Sequence, residues 1–166
     1  MITVRGFLPT DITSMLKIWN DIVEQGEAFP QEETLTLDTA MTFFSEQSHT
    51  GVAINDNGNI LGLYILHPNN IGRCGHIANA SYAVAADYRG QHIGEALVTD
   101  CLRKCGELGF GVLQFNAVVS TNAPALALYK KLGFTQLGTI PAGFRRKDGS
   151  FADIIPHYID IRTLEI

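Results

Sequence analysis

Residues 84–97, which read Val-Ala-Ala-Asp-Tyr-Arg-Gly-Gln-His-Ile-Gly-Glu-Ala-Leu, decide how the rest of the chain is interpreted. They begin at the end of an apolar segment, pass through a turn with Arg89, Gly90 and Gly94, and continue as an amphipathic helix. A helix start leaves backbone N–H groups unpaired and carries the positive end of the helix dipole. The stretch therefore predicts an anion-binding turn. Taken alone, it fits an ordinary strand-to-helix connection equally well.

Length and composition narrow the class of protein. With 166 residues the chain is long enough to bury a hydrophobic core as one domain, residues 1–166. No apolar run approaches the roughly 18 residues that span a bilayer, and the first residues lack a secretory pattern, so we expect a cytoplasmic protein without a membrane partner. The formal charge of −5 argues against nucleic acid as a partner. The three cysteines lack CxxC spacing and are expected to be buried thiols.

Hydrophobic periodicity and turn residues predict an alternating order of strands and helices. The elements expected are a strand at 2–7, helices at 12–26 and 37–44, a hairpin at 50–66, a strand at 76–86, a helix closing at 109, a strand at 111–119, a helix at 122–133, and strands at 134–140 and 152–161 around a polar loop at 143–149. This order indicates an α/β fold, a mixed twisted sheet with helices on its faces.

Two asparagines stand out because asparagine is disfavoured in strands. Asn79 lies among small residues in the strand at 76–86, and Asn116 lies in the strand at 111–119. Edge or bulge positions would explain both of them, and a site between the two strands would explain them as well.

Two motifs carry a resemblance to a known family. The run Arg-Gly-Gln-His-Ile-Gly-Glu-Ala-Leu at 89–97 and the run Asn-Ala-Pro-Ala-Leu-Ala-Leu-Tyr-Lys-Lys-Leu-Gly-Phe at 122–134 resemble the main motifs of the GCN5-related N-acetyltransferase (GNAT) family. The resemblance covers nearly the whole chain. It implies a six- to seven-stranded sheet whose fourth and fifth strands splay apart to admit acetyl-CoA. One departure is His92, which occupies a position where the family usually has glycine. If His92 has ordinary helical dihedrals its side chain can point to solvent, and we expect CoA binding to be retained; contact of His92 with a phosphate is the alternative.

The resemblance also implies a set of site residues. Backbone groups of the turn would bind the CoA pyrophosphate, the strand leading into it would pair with pantetheine, and Tyr129 would protonate the departing thiolate. Tyr129 could instead simply pack its ring, and Asn122 could simply cap its helix. The implied cofactor-binding residues are Val84, Ala85, Ala86, Arg89, Gly90, Gln91, His92, Ile93, Gly94, Glu95, Asn122 and Tyr129.

A narrower resemblance predicts which residues bind the acceptor substrate. The spacing of Asn79, Asn116 and Asn122, together with the run at 138–145, is similar to the branch that acetylates proline analogues. It implies an amino-acid-like amine, with its carboxylate on Asn79, while Asn116 and Asn122 position the reacting amine and the cofactor end. Phe29 and Arg145 are further candidates for substrate binding, although a basic loop such as 145–147 is more often solvated.

The general base is not apparent, because neither central strand carries a carboxylate. No metal-ligand spacing is present, and no metal is expected. The leading hypothesis is direct transfer of an acetyl group from acetyl-CoA to a small-molecule amine in a ternary complex. The alternative is a catalytically silent acyl-CoA sensor or interaction module. A homodimer is left open.

Overall fold

The computed structural model describes residues 1–165, and they build one continuous sheet of eight strands. The strands are β1 (Thr3–Gly6), β2 (His49–Ile54), β3 (Ile60–Pro68), β4 (Ile77–Val84), β5 (Val112–Val119), β6 (Thr135–Gln136), β7 (Ile140–Arg145) and β8 (Phe151–Asp160). They lie in the order β1-β2-β3-β4-β5-β8-β6, and β7 also pairs with β8. The β4–β5 pair is parallel and the others are antiparallel.

The central pair of strands separates almost as soon as it forms. β4 and β5 pair only at Ile77 with Val112 and at Ala78 with Leu113. Beyond these residues the edges of the two strands face a gap. A bulge in β5, between Phe115 and Val118, lies opposite Pro156, which has no N–H to offer a ladder. The expected splay of the fourth and fifth strands is confirmed.

Four helices cover the two faces of the sheet: α1 (Ile12–Gln25), α2 (Leu37–Ser45), α3 (Ile93–Glu107) and α4 (Ala123–Lys131). α1 and α2 pack on one face, where Trp19 of α1 and Phe44 of α2 are buried against Leu63 of the sheet. α3 and α4 pack on the other face, around Leu97 and Phe115. The expected arrangement of helices on both faces is therefore confirmed.

Local signals account for most element ends. The apolar stripe of α1 stops at Gly26, whose left-handed φ of 65° suits glycine. Thr36 caps α2 by accepting from the backbone N–H of Thr39. The hairpin between β2 and β3 turns at Gly58, with a φ of 79°.

The C-terminal part of the sheet differs from the expectation. The strand expected at 134–140 shortens to β6, because Gly138 has a φ of 117° that breaks the extended path. Residues 140–145, partly expected as loop, form β7. The sheet consequently has eight strands rather than six or seven.

Two further findings concern cysteines and helix length. Cys101 and Cys105 are buried as expected, but Cys74 is exposed, because it lies in the loop before β4 rather than on a packed face.

Within residues 1–165, none of the helices is both long enough and apolar enough to cross a membrane.

Candidate active site

The turn before α3 gathers unpaired backbone donors. Gly90 has a φ of 76° and His92 a φ of 62°, and this path leads into α3 at Ile93. Among the hydrogen bonds of residues 1–165, none is donated by the backbone N–H groups of residues 90–95. Six consecutive free donors at a helix start attract negative charge.

His92 is the irregular residue of this turn. Its backbone is left-handed and not helical, because the turn needs a positive φ at the position where the family usually has glycine. A left-handed non-glycine residue costs about 1 kcal/mol. The side chain is 81% exposed, as expected, and its Nδ1 lies 3.4 Å from Oε2 of Glu95.

Glu95 places a carboxylate beside this donor group, where it would repel an anion. Lys131 of α4 reaches across to it, with its Nζ 2.7 Å from Oε1 and 2.8 Å from Oε2. The hydrogen bond from Lys131 lowers the pKa of Glu95. The ion pair neutralises the carboxylate and leaves the field of the backbone donors dominant.

A cleft of about 650 Å³ runs from the turn toward the gap between β4 and β5; we call it the cofactor cleft. Most of the expected cofactor-binding residues line it, namely Val84, Arg89, Gly90, His92, Ile93, Gly94, Glu95, Asn122 and Tyr129. The structure does not bring Ala85, Ala86 or Gln91 to its wall. The N–H of Ala85 instead pairs with the β3 residue Leu61, and Gln91 bonds the backbone of Asp87.

A second cavity, of about 450 Å³, lies in the gap between the splayed strands; we call it the acceptor pocket. It contains the expected residues Phe29, Asn79, Asn116, Asn122 and Tyr129. It meets the cofactor cleft at shared residues, which are Ala28, Tyr82, Asn122, Ala125 and Tyr129. Asn122 and Tyr129 both belong to the motif at 122–134, and the fold brings them to this junction.

Tyr129 is fixed at the junction by aromatic neighbours. Its ring centroid lies 4.6 Å from that of Phe115, 5.3 Å from that of Phe134 and 5.6 Å from that of His157. Burial raises the pKa of Tyr129, so the hydroxyl stays protonated at neutral pH. A neutral, positioned O–H can serve as a hydrogen-bond or proton donor.

Asn122 caps α4, with its Oδ1 accepting from the N–H of Ala125 at 3.3 Å. The capping interpretation is thus confirmed. Its amide donors make no other side-chain bond within residues 1–165, so capping leaves them available to a ligand.

An amide network holds the point where the strands part. Nδ2 of Asn79 donates to the backbone oxygen of Gln114 at 3.1 Å, which spans the gap where the β4–β5 ladder has ended. Nε2 of Gln114 donates to Oδ1 of Asn116 at 3.0 Å, and Nδ2 of Asn116 donates to Oδ1 of Asn69 at 2.7 Å. Asn116 lies in the β5 bulge, so the bulge interpretation is confirmed for that residue.

His67 lines the acceptor pocket and was missed in the sequence. It lies on β3 directly opposite Asn79, and its Nδ1 is 2.9 Å from the backbone oxygen of Pro68. Donation to that carbonyl leaves Nε2 as the nitrogen with a free lone pair. Two other histidines, His76 and His157, line neither cavity; His157 is buried with Nδ1 on the backbone oxygen of Ile155.

Arg145 does not reach the acceptor pocket. It lines a third cavity, of about 640 Å³, and pairs with Glu32. The neighbouring Arg146, expected to be solvated, is only 21% exposed. Its guanidinium contacts Glu27 and Thr121, which border the cofactor side, and the backbone oxygen of Phe151. Only the long-range fold brings these partners together, so no local signal could have revealed them.

Among residues 1–165, no group of three His, Cys, Asp or Glu side chains is arranged to hold a metal ion.

The fold and the two joined cavities agree with the comparisons with known proteins. The model of the acetyltransferase (GNAT) family matches residues 13–134, and the chain belongs to this family. As a member, it is an acetyl-CoA-dependent acetyltransferase.

Particular relatives are similar over most of the chain. N-acetyltransferase aca1 of Schizosaccharomyces pombe is 30% identical over 141 residues, covering 75% of this chain and 68% of that protein. The structure of a GCN5-related N-acetyltransferase from Kribbella flavida is 33% identical with a TM-score of 0.88, covering 96% and 97% of the two chains. A phosphinothricin acetyltransferase from Sinorhizobium meliloti, solved with acetyl-CoA, is 21% identical with a TM-score of 0.88, covering 96% and 88%, which shows a shared fold.

Proposed function

We propose that this enzyme transfers the acetyl group of acetyl-CoA to a small-molecule amine by direct attack in a ternary complex. The observation that carries the proposal is the meeting of the cofactor cleft and the acceptor pocket at Tyr82, Asn122, Ala125 and Tyr129. Two reactants held in adjoining cavities can react as one encounter complex, which removes much of the entropic barrier.

The cofactor is proposed to lie along the gap between β4 and β5. The free N–H groups of residues 90–95 would bind its pyrophosphate, and the unpaired edge of β4 after Ala78 would hydrogen-bond the pantetheine amides as an added strand does. The thioester would then arrive at Tyr129. An N–H near Val84 could face the thioester oxygen, where such donors are often worth about 3 kcal/mol each.

Tyr129 is proposed as the acid. When the amine attacks, the tetrahedral intermediate collapses and the CoA sulfur leaves as a thiolate, which takes the proton of the Tyr129 hydroxyl. The raised pKa keeps the Tyr129 hydroxyl protonated at neutral pH, so it can donate a hydrogen bond to the sulfur as the negative charge develops. Asn116 and Asn122 would orient the reacting groups through their amides.

His67 is proposed as the base that accepts the amine proton. Its Nε2 keeps a free lone pair that can accept a proton, and the lining of the acceptor pocket contains no aspartate or glutamate. His67→Gln keeps a polar side chain but cannot accept a proton. We expect it to lower kcat at least about 100-fold at neutral pH, the usual size of a general-base contribution. An unchanged kcat would remove this assignment.

The acceptor is proposed to be an amino acid or amino-acid analogue. The support is the resemblance of Asn79, Asn116 and Asn122 to the proline-analogue branch and the small volume of the acceptor pocket, about 450 Å³. We also propose that residues 1–166 form a single domain and that the protein is cytoplasmic. Neither nucleic acid nor a membrane is proposed as a partner, and the proposal includes no choice between monomer and homodimer.

The test is the release of CoA thiol on adding a panel of amines to enzyme and acetyl-CoA, with the acetylated product identified by mass. We expect at least one small amine to release thiol and gain an acetyl group. If CoA raises the melting temperature but no amine in a wide panel is acetylated, the protein acts as a silent acyl-CoA-binding module and the proposal fails.

A further inference from the structure

The acceptor pocket has no permanently charged side chain, and His67, proposed above as the base, is neutral before it takes the amine proton. None of its lining residues is a lysine, arginine, aspartate or glutamate. A carboxylate enclosed there would lose its hydration without gaining a counter-charge, which is costly. The pocket therefore suits a neutral amine with its carbon skeleton and does not suit an anion.

Asn79 cannot readily compensate for this lack of charge. One N–H of its Nδ2 donates to the backbone oxygen of Gln114; this bond leaves Oδ1 as a free acceptor and the second N–H as an uncharged donor. A free carbonyl oxygen attracts the N–H groups of an amine and repels a carboxylate. The structure thus assigns the nitrogen of the acceptor to Asn79, in contrast to the carboxylate that the family resemblance implied.

Positively charged side chains line the cavity that adjoins the acceptor pocket. The third cavity is lined by Arg145, Arg146 and Lys147 and by two carboxylates, Glu24 and Glu32, so that cations exceed anions by one; we call it the basic cavity. It shares three consecutive residues, Phe29, Pro30 and Gln31, with the acceptor pocket. Phe29 is buried and packs on Trp19 at a centroid distance of 4.6 Å, so this part of the boundary between the two cavities is anchored to the core.

The cations of the basic cavity differ in how firmly they are held. Arg146 has contacts on several elements and is mostly buried. Arg145 is 61% exposed, and its one side-chain partner within residues 1–165 is Glu32, which is 75% exposed. Exposed ion pairs contribute little, so a ligand carboxylate can displace Glu32 at small cost.

We propose that the acceptor is an amine whose carboxylate is separated from the reacting nitrogen by several bonds. The nitrogen lies in the acceptor pocket at Asn79, and the carboxylate passes Phe29 and pairs with Arg145, displacing Glu32. Guanidinium suits this role because it binds a carboxylate through two parallel hydrogen bonds. This inference rests on the proposed function and narrows its substrate class.

The test compares γ-aminobutyrate with its neutral carboxamide, γ-aminobutyramide, as acceptors. In the unaltered enzyme we expect kcat/KM to favour the carboxylate. Arg145→Gln should lower kcat/KM for γ-aminobutyrate about tenfold, the size of a lost charge-assisted hydrogen bond, and change the carboxamide less than about twofold. Glu32→Gln removes the competing carboxylate and should raise kcat/KM for γ-aminobutyrate alone.

Arg103→Gln is the matched control, since Arg103 is an ion-paired arginine that lines none of the three cavities. This substitution should leave kcat/KM unchanged for both acceptors. The inference is overturned if Arg145→Gln affects both acceptors equally or neither, or if Asn79→Ala rather than Arg145→Gln abolishes the preference for the carboxylate. It is also overturned, with the proposed function intact, if other amines are acetylated but neither of this pair is. Absence of transfer to any amine overturns both.

Discussion

His92 shows how one residue can satisfy a backbone requirement at a cost. The turn before α3 needs a left-handed residue at this position, and the chain supplies it without glycine. Because the exposed imidazole makes one long contact, with Glu95, little in the structure offsets the strain. The strained turn leaves six backbone N–H groups free, and these groups can bind an anion.

His92→Gly is therefore expected to raise the free energy of unfolding by up to about 1 kcal/mol, because it removes the left-handed strain. His92→Val should lower it by more than about 1 kcal/mol, since a β-branched side chain fits this region worst. Urea unfolding measures both changes. If both variants are as stable as the parent, the strain assigned to His92 is absent.

Tyr129 carries the proposed acid function, and its ring contributes packing as well. Tyr129→Phe keeps the ring against Phe115 and Phe134 and removes only the hydroxyl. We expect kcat to fall about 100-fold or more, while CoA affinity changes less than about twofold. Steady-state kinetics and CoA titration separate the two quantities.

Tyr158→Phe is the control for this substitution, because Tyr158 lies on β8 and lines none of the three cavities. It should leave kcat unchanged. An unchanged kcat for Tyr129→Phe would instead show that the thiolate leaves without this proton donor.

At the scale of elements, the start of α1 is tied to β1 by a charged contact. Asp11 accepts from Nη1 of Arg5 at 2.7 Å, from Nη2 at 3.1 Å and from the backbone N–H of Leu8 at 2.7 Å. The hydrogen bond from Arg5 lowers the pKa of Asp11 below its ordinary value. Since the folded pKa is the lower one, this stabilisation is present above the unfolded pKa and is lost as the pH falls through the folded pKa.

Asp11→Asn should lower the free energy of unfolding at pH 7 by about 1–3 kcal/mol, the range for a charge-assisted hydrogen bond. The difference from the parent should shrink as the pH is lowered below about 4, near the ordinary pKa of aspartate. Denaturant unfolding at a series of pH values measures it. The exposed Asp21, paired with Lys17, provides the control, and Asp21→Asn should change little. A difference that does not vary with pH would contradict the assignment.

Elements were predictable from sequence where the signal is local. The stripe of α1, the Asn57-Gly58 turn and the Asn122 cap each lie within a few residues, and all three were found. His67 was missed because its position opposite Asn79 depends on the β3–β4 register, which no local pattern encodes. β7 was not predicted, because it forms by pairing with β8 after the break at Gly138.

At the scale of the whole molecule, one irregularity of the sheet generates both cavities. The β4–β5 ladder ends after two residue pairs, and the gap leads to the cofactor cleft beside α3 and α4 and to the acceptor pocket beside Phe43 of α2 and the loop with Phe29. The cofactor cleft and the acceptor pocket thus meet inside the sheet rather than on its surface. This geometry favours transfer between two bound reactants over transfer through an enzyme-bound acetyl group.

The most direct test of this account is a two-substrate initial-velocity study, in which acetyl-CoA and an accepted amine are varied together. Direct attack in a ternary complex predicts double-reciprocal lines that intersect, with no release of CoA thiol until the amine is added. Parallel lines, together with a stoichiometric burst of CoA from enzyme and acetyl-CoA alone, would contradict it, because they would require an acetyl-enzyme intermediate.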